Sequence, residues 1–115
     1  MGVTKKGKKQ ILELLQNQIS HFGLGINPSS ESEFAENLGD EKFRKVITDN
    51  SIDEETLSMD VECFLGSGEA NGHDFSEIGL FDSASGGNMF VISNFPPEEK
   101  NPLLEWLIDV VIEIK

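Results

Sequence analysis

Two histidines, His21 and His73, one cysteine, Cys63, and a hydroxyl- and glycine-rich run from Asp82 to Asn88 are the residues of this 115-residue chain whose types suit chemistry. A nucleophilic triad needs a histidine held between a carboxylate and a serine. His73 and Asp74 are adjacent, but successive residues on a strand point to opposite faces, and no Gly-x-Ser-x-Gly elbow occurs. His21 has no second histidine or cysteine at metal-ligand spacing, so a hydrogen-bonded or exposed side chain is expected there rather than a ligand. A single cysteine excludes an intramolecular disulfide and a cysteine zinc cluster, and fits a reducing compartment. The Asp82–Asn88 run has the look of a calcium loop, yet Ala84 and Gly86 stand at its third and fifth positions and Ser93 at its twelfth, where oxygen-rich ligands are needed. No glycine run matches a phosphate-cradling motif. With twenty-one acids in the chain, paired carboxylates carry little information about acid and base roles. No catalytic residue, cofactor or metal site is expected, and the chain reads as non-enzymatic.

Charge narrows the partners. Nine Lys and Arg against twenty-one Asp and Glu give a formal net charge of -12, which repels nucleic-acid phosphates and anionic lipid. Four of the cations, Lys5, Lys6, Lys8 and Lys9, lie in the first ten residues, which hold no acid. Cations at a helix start oppose the helix dipole, so local helix energetics do not account for them. They are either a solvated basic start or a docking tip for an acidic partner. The apolar group Ile11 to Leu15 behind them is interrupted by Glu13 and does not form a signal-peptide core. The run Leu103 to Ile114 contains Glu105, Asp109 and Glu113 and falls short of the roughly twenty apolar residues that span a bilayer. A soluble, unprocessed protein with no membrane partner is expected.

The elements follow from periodicity. Thr4 suits the cap of a helix running to about Gln18, with Ile11, Leu14 and Leu15 as its apolar stripe. Ile19 to Ile26 reads as a strand whose Gly23 and Gly25 let another group approach closely. Residues 27–41 form an acidic surface excursion, with a short helical turn around Phe34 to Leu38 before Gly39. Phe43 to Ile47 suits a short strand whose Arg44 and Lys45 sit against acids, and Asp49 to Glu55 a polar turn. Leu57, Met59, Val61, Cys63 and Leu65 alternate with polar residues and Phe64, which buries Cys63 as an inert packing residue. Ala70 to Lys100 reads as a hairpin: Phe75 to Phe81 and Asn88 to Phe95, joined by the Asp82–Asn88 turn and left through Pro96 and Pro97. Leu104, Trp106, Ile108, Val110, Ile112 and Ile114 alternate with a mostly charged set, the clearest strand pattern in the chain. Leu107 and Val111 fall on its polar face and need cover, from the first helix or from a neighbouring subunit. The expected fold class is mainly β, a largely antiparallel β-sandwich with one amino-terminal α-helix. It spans residues 1–115 as a single domain, helix at 1–18 and sandwich at 19–115.

Three blocks in this order resemble a known family. Val3-Thr4-Lys5-Lys6-Gly7-Lys8 leads into the first helix; Glu77-Ile78-Gly79-Leu80-Phe81-Asp82 is followed by Ser85-Gly86-Gly87-Asn88-Met89; and Phe95 to Lys100 leads into the terminal strand. Together they resemble the small tail-associated virion proteins of tailed double-stranded DNA viruses, including the amino-terminal domain of phage tail-collar fibre proteins. Where that family carries an Ala-Val-Gly-Thr-Gly-like segment, this chain has Phe22-Gly23-Leu24-Gly25-Ile26, followed by the acidic excursion. The resemblance implies a β-rich sandwich with one helix, a structural role in a tail, baseplate, collar or fibre base, and no catalytic residues. It implies partners among other virion proteins, a homo-oligomer in the particle, and residence in the virion after assembly in the host cytoplasm. Candidate interface residues are Lys5, Lys6, Lys8, Lys9, Leu107 and Val111. The alternatives are a receptor- or carbohydrate-binding module, weakened by the absence of Tyr and the placement of the only Trp on the apolar face, and a capsid decoration protein.

Overall fold

Thr4 is where the chain becomes helical. In the computed structural model, which describes residues 2–28 and 34–114, its Oγ1 accepts from the Gly7 N–H at 3.0 Å and α1 runs Lys5–Gln18. The cap satisfies one of the backbone donors that a helix start leaves open. Leu12 is the wholly buried side chain of α1, with Leu15 packed beside it, while Ile11 and Leu14 face solvent. The expected stripe of Ile11, Leu14 and Leu15 is therefore corrected to Leu12, Leu15 and Ile19. These stand at i, i+3 and i+7, and Ile19, just past the helix, fixes which side turns inward.

Seven strands follow: β1 (His21–Gly25), β2 (Glu41–Val46), β3 (Asp49–Asp53), β4 (Ser58–Leu65), β5 (His73–Phe81), β6 (Met89–Lys100) and β7 (Trp106–Glu113). Every pairing is antiparallel, in one sheet of order β2-β1-β5-β6 and another of order β3-β4-β7. The two sheets form the expected mainly β sandwich, and α1 lies against β3 and β4, where Gln16 Nε2 donates to Asn50 Oδ1 at 2.8 Å. Phe22 and Leu24 of β1, Phe75, Ile78 and Leu80 of β5, and Met59, Val61, Cys63 and Leu65 of β4 meet in one core.

Three expectations change. Asp49 to Glu55 is not a polar turn: Asp49–Asp53 pairs in register with Ser58–Glu62. Its single inward apolar side chain, Ile52, is too weak a period-two signal to announce a strand. β6 does not stop before the prolines. It runs through them to Lys100, because Pro96 and Pro97 fall at a register shift opposite Phe75 to Glu77 on an edge strand. There a missing N–H costs no ladder bond. No helical turn forms over Phe34 to Leu38, whose described backbone is bent and irregular; residues 29–33 of the excursion lie outside the described residues.

Leu38, Gly39 and Asp40 lie against the outer face of the β2-β1-β5-β6 sheet, and the reason lies in three glycines. Across the strands Gly23 pairs with Gly79 and with Arg44, and Gly25 pairs with Glu77. Their missing side chains leave a trough. A Cβ on Gly79 would stand 3.0 Å from the Met89 sulfur and the Phe81 ring and 3.2 Å from Leu38; one on Gly25 would collide with the Glu77 carboxylate. Glu77 fills that space, fully buried. Its Oε1 accepts from the Gly39 N–H at 2.7 Å, and its Oε2 from the Asp40 N–H at 2.9 Å and, at 3.4 Å, from Asn27 N–H. One carboxylate thus pins both ends of the excursion. Losing it would strand part-buried donors, at up to about 1–3 kcal/mol each. We expect Glu77→Ala to lower the free energy of unfolding by ~3 kcal/mol or more in urea titrations, and Glu77→Gln by less, since one acceptor oxygen remains.

Candidate assembly surface

The histidines and the glycine turn each make local contacts. His21 Nδ1 and Ser20 Oγ are hydrogen-bonded at 2.7 Å, and the His73 ring lies 5.5 Å from that of Phe75. Asp82 braces its own turn, its Oδ1 accepting from Asn88 N–H at 2.8 Å, while Gly86 and Gly87 take the positive φ the turn requires. Among the described residues no cluster of His, Cys, Asp or Glu is arranged to hold a metal ion.

Arg44 and Lys45 meet acids as expected, and do more. The Arg44 guanidinium grips both Glu41 oxygens, at 2.6 and 2.7 Å, and donates to the Ser83 and Gly86 carbonyls at 2.8 and 3.2 Å. It stacks 3.5 Å above the Phe81 ring. A planar fork of donors can do all of this at once, which an ammonium cannot. Lys45 shares the Phe22 row on the inner side and crosses to the opposite sheet, reaching Phe64 O at 3.0 Å and Glu69 at 2.6 Å. The Lys45 hydrogen bond, helped by the Gly66 N–H, holds the Glu69 carboxyl below its usual range. Lys100 is fully buried with its Nζ 2.9 Å from Asn71 Oδ1.

The candidate interface residues separate into two places. Lys5 and Lys6 are exposed at the start of α1 and Lys8 is half-buried there. Lys9 pairs with Glu54 of the β3–β4 turn at 2.6 Å, so this lysine of the tip meets an acid of its own chain. Leu107 and Val111 are on β7, at the other edge of that sheet, 60% and 57% exposed. α1 lies against β3 and β4 instead, so of the two covers expected for Leu107 and Val111 the helix is excluded.

Around Leu107 and Val111 the outer face of the β3-β4-β7 sheet is acidic in a way no single strand announced. Asp49, Glu62 and Asp109 stand in one cross-strand row, and Asp60 pairs with Val111 in the next. Like charges directly opposed on a sheet face are destabilising. The row was invisible in sequence because it needs β3, which did not read as a strand. On the inner side, β6 and β7 stand apart and leave an open groove of about 710 Å³ that Val91, Phe95, Trp106, Ile108 and Val110 help to line.

Beneath the acidic face lies Cys63, fully buried. Burial first, then the nearby Asp109, Asp60 and Glu62 carboxylates, push its thiol up to about 12. No family model matches the chain, and no curated protein matches it significantly.

The sign of the Cys63 shift sets a pH dependence. The folded state holds the thiol proton after the unfolded chain releases it near 9, so the stabilisation is complete below that pH and is lost as pH rises toward about 12. We expect unfolding free energy to fall over this window by at most ~1.4 kcal/mol per pH unit from this group. A Cys63→Ala variant should show a shallower fall. At pH 8 native Cys63 should resist iodoacetamide and react only after denaturation, as mass spectrometry would record.

Proposed function

We propose that this chain is a non-enzymatic structural component of a tailed virus particle, an adaptor or fibre-base module of the tail, baseplate or collar. Such a protein acts through its surfaces, and its neighbours would be other virion proteins and further copies of itself. The observation that carries the reading is the way the Glu77–Asp82 block is used. Glu77 pins the excursion, Gly79 opens the trough, Phe81 takes the Arg44 guanidinium and Asp82 braces the turn. A block that resembles a virion family is thus spent on holding a rigid frame. Supporting it, Leu107 and Val111 stay uncovered on an acidic sheet face, apolar side chains of the kind that subunit contacts bury.

On this reading the protein belongs in the virion, after assembly in the host cytoplasm, and subunits meet over the outer face of the β3-β4-β7 sheet around Leu107 and Val111. The net charge of -12 opposes close approach of copies, so association should strengthen as salt screens it.

Light scattering on the purified protein at low and high salt tests this directly. A discrete trimer or hexamer, favoured at high salt and dispersed by Leu107→Asp or Val111→Asp, is the expected outcome. A monomer at every salt concentration would count against self-assembly through this face.

A further inference from the structure

Among the described residues the two sheets end in four edge strands: β2 and β6 in one, β3 and β7 in the other. An unpaired edge offers a row of N–H and C=O groups to any passing strand, and stable proteins block it with charged side chains, lysine above all, with prolines, irregularities or cover. Three of the four are blocked by lysine, proline, irregularity or cover. β2 carries Lys42, Arg44 and Lys45 within its six residues. β6 carries Pro96 and Pro97 and is broken by register shifts. β3 is five residues long and has α1 against it, tied by Gln16 to Asn50 and by Lys9 to Glu54 at the adjoining turn.

β7 has no proline, lysine, irregularity or cover; its guards are the acids Asp109 and Glu113, which repel another acidic edge and admit a basic one. Its eight residues, Trp106–Glu113, include no Pro, Lys or Arg, and its pairing with β4 runs without a register shift. Beside it the sandwich is open: the 710 Å³ groove between β6 and β7 has apolar walls from Val91, Phe95, Trp106, Ile108 and Val110, and the exposed acids Glu98, Glu105 and Asp109 also line it. We propose that the β7 edge is an acceptor for an extended segment of a partner protein in which apolar and basic residues alternate. Backbone groups of that segment would continue the β3-β4-β7 sheet. Its apolar side chains would enter the groove, and its cations would stand beside Glu105, Asp109 and Glu113 on the outer face.

Charge selects this occupant over a second copy of the chain. Two β7 strands placed edge to edge bring acid-bearing faces together, on molecules that each carry -12. Nor, among the described residues, is there a free basic strand to lend. Lys5, Lys6, Lys8 and Lys9 are folded into α1, and in β2 Lys42 pairs with Asp40, Arg44 with Glu41 and Lys45 with Glu69. A strand acceptor of this kind is independent of any virion role.

The test uses the whole protein, isotope-labelled for NMR, and three synthetic nonapeptides: alternating Val and Lys, alternating Val and Glu, and alternating Gly and Lys. The Val/Lys peptide should bind saturably and slow exchange of the β7 amides that face away from β4 by about tenfold or more, leaving the β2 and β3 amides unchanged. The Val/Glu peptide should not bind. The Gly/Lys peptide, of equal charge but without apolar side chains, should give no protection. Asp109→Lys should weaken Val/Lys binding about tenfold while the rest of the spectrum reports an intact fold. The proposal is overturned if Val/Lys and Gly/Lys peptides act alike, since that is charge attraction alone. It is equally overturned if protection appears at another edge, if no peptide binds, or if the β7 amides are already protected in a free protein whose mass is that of a dimer.

Discussion

A carboxylate in a glycine trough governs much of this molecule. Glu77 is fully buried, and its oxygens are engaged by backbone N–H groups of Asn27, Gly39 and Asp40. Burying such a group is costly unless its oxygens are satisfied. Satisfying them brings together segments fifty and thirty-eight residues away in sequence. The arrangement needs Gly25 opposite Glu77, because any side chain there would occupy the carboxylate's place. It also needs Gly39 to come close to the Asn27 carbonyl. Around this lock the outer face of the four-stranded sheet gains a second layer, Leu38, Phe81, Met89 and the stacked Arg44, without a helix to cover it.

The consequence is a division of labour between the two sheets. The four-stranded sheet is covered on its outer face by its own chain, and its β2 edge is guarded by cations held in ion pairs. The three-stranded sheet keeps an acidic outer face with Leu107 and Val111 exposed, and a β7 edge without proline or lysine beside an open apolar groove. Lys45 reaches across the sandwich, where its ion pair with Glu69 ties β2 to the segment after β4.

Much of the fold was legible in local pattern. Thr4 announced its helix, the alternation announced a buried face in β4 and a half-buried one in β7, and the glycines of Phe22-Gly23-Leu24-Gly25 correctly signalled a close approach. The group that approaches was not legible, because Glu77 lies more than fifty residues away and a lone glutamate reads as solvated. β3 was missed because only Ile52 of its five residues is apolar, and with it went the acidic row that depends on three-strand registry. The helix face was misread by one position because Ile11 and Leu12 are both apolar and only tertiary packing chooses between them. β6 outran its prolines because edge position and registry, which sequence does not show, remove the need for their N–H groups. Of the candidate surface, the exposure of Leu107 and Val111 followed from alternation alone, whereas the proximity of Lys9 to Glu54 depended on where α1 docks.

The claim that one carboxylate holds the outer layer in place is most directly tested by hydrogen exchange at the Gly39 and Asp40 amides. If Glu77 binds them as described, both should be protected to nearly the degree of the β5 amides in the sheet centre, although they lie in a segment without regular structure. Exchange of those two amides at the rate of an open loop, in a protein whose β5 amides stay protected, would contradict it.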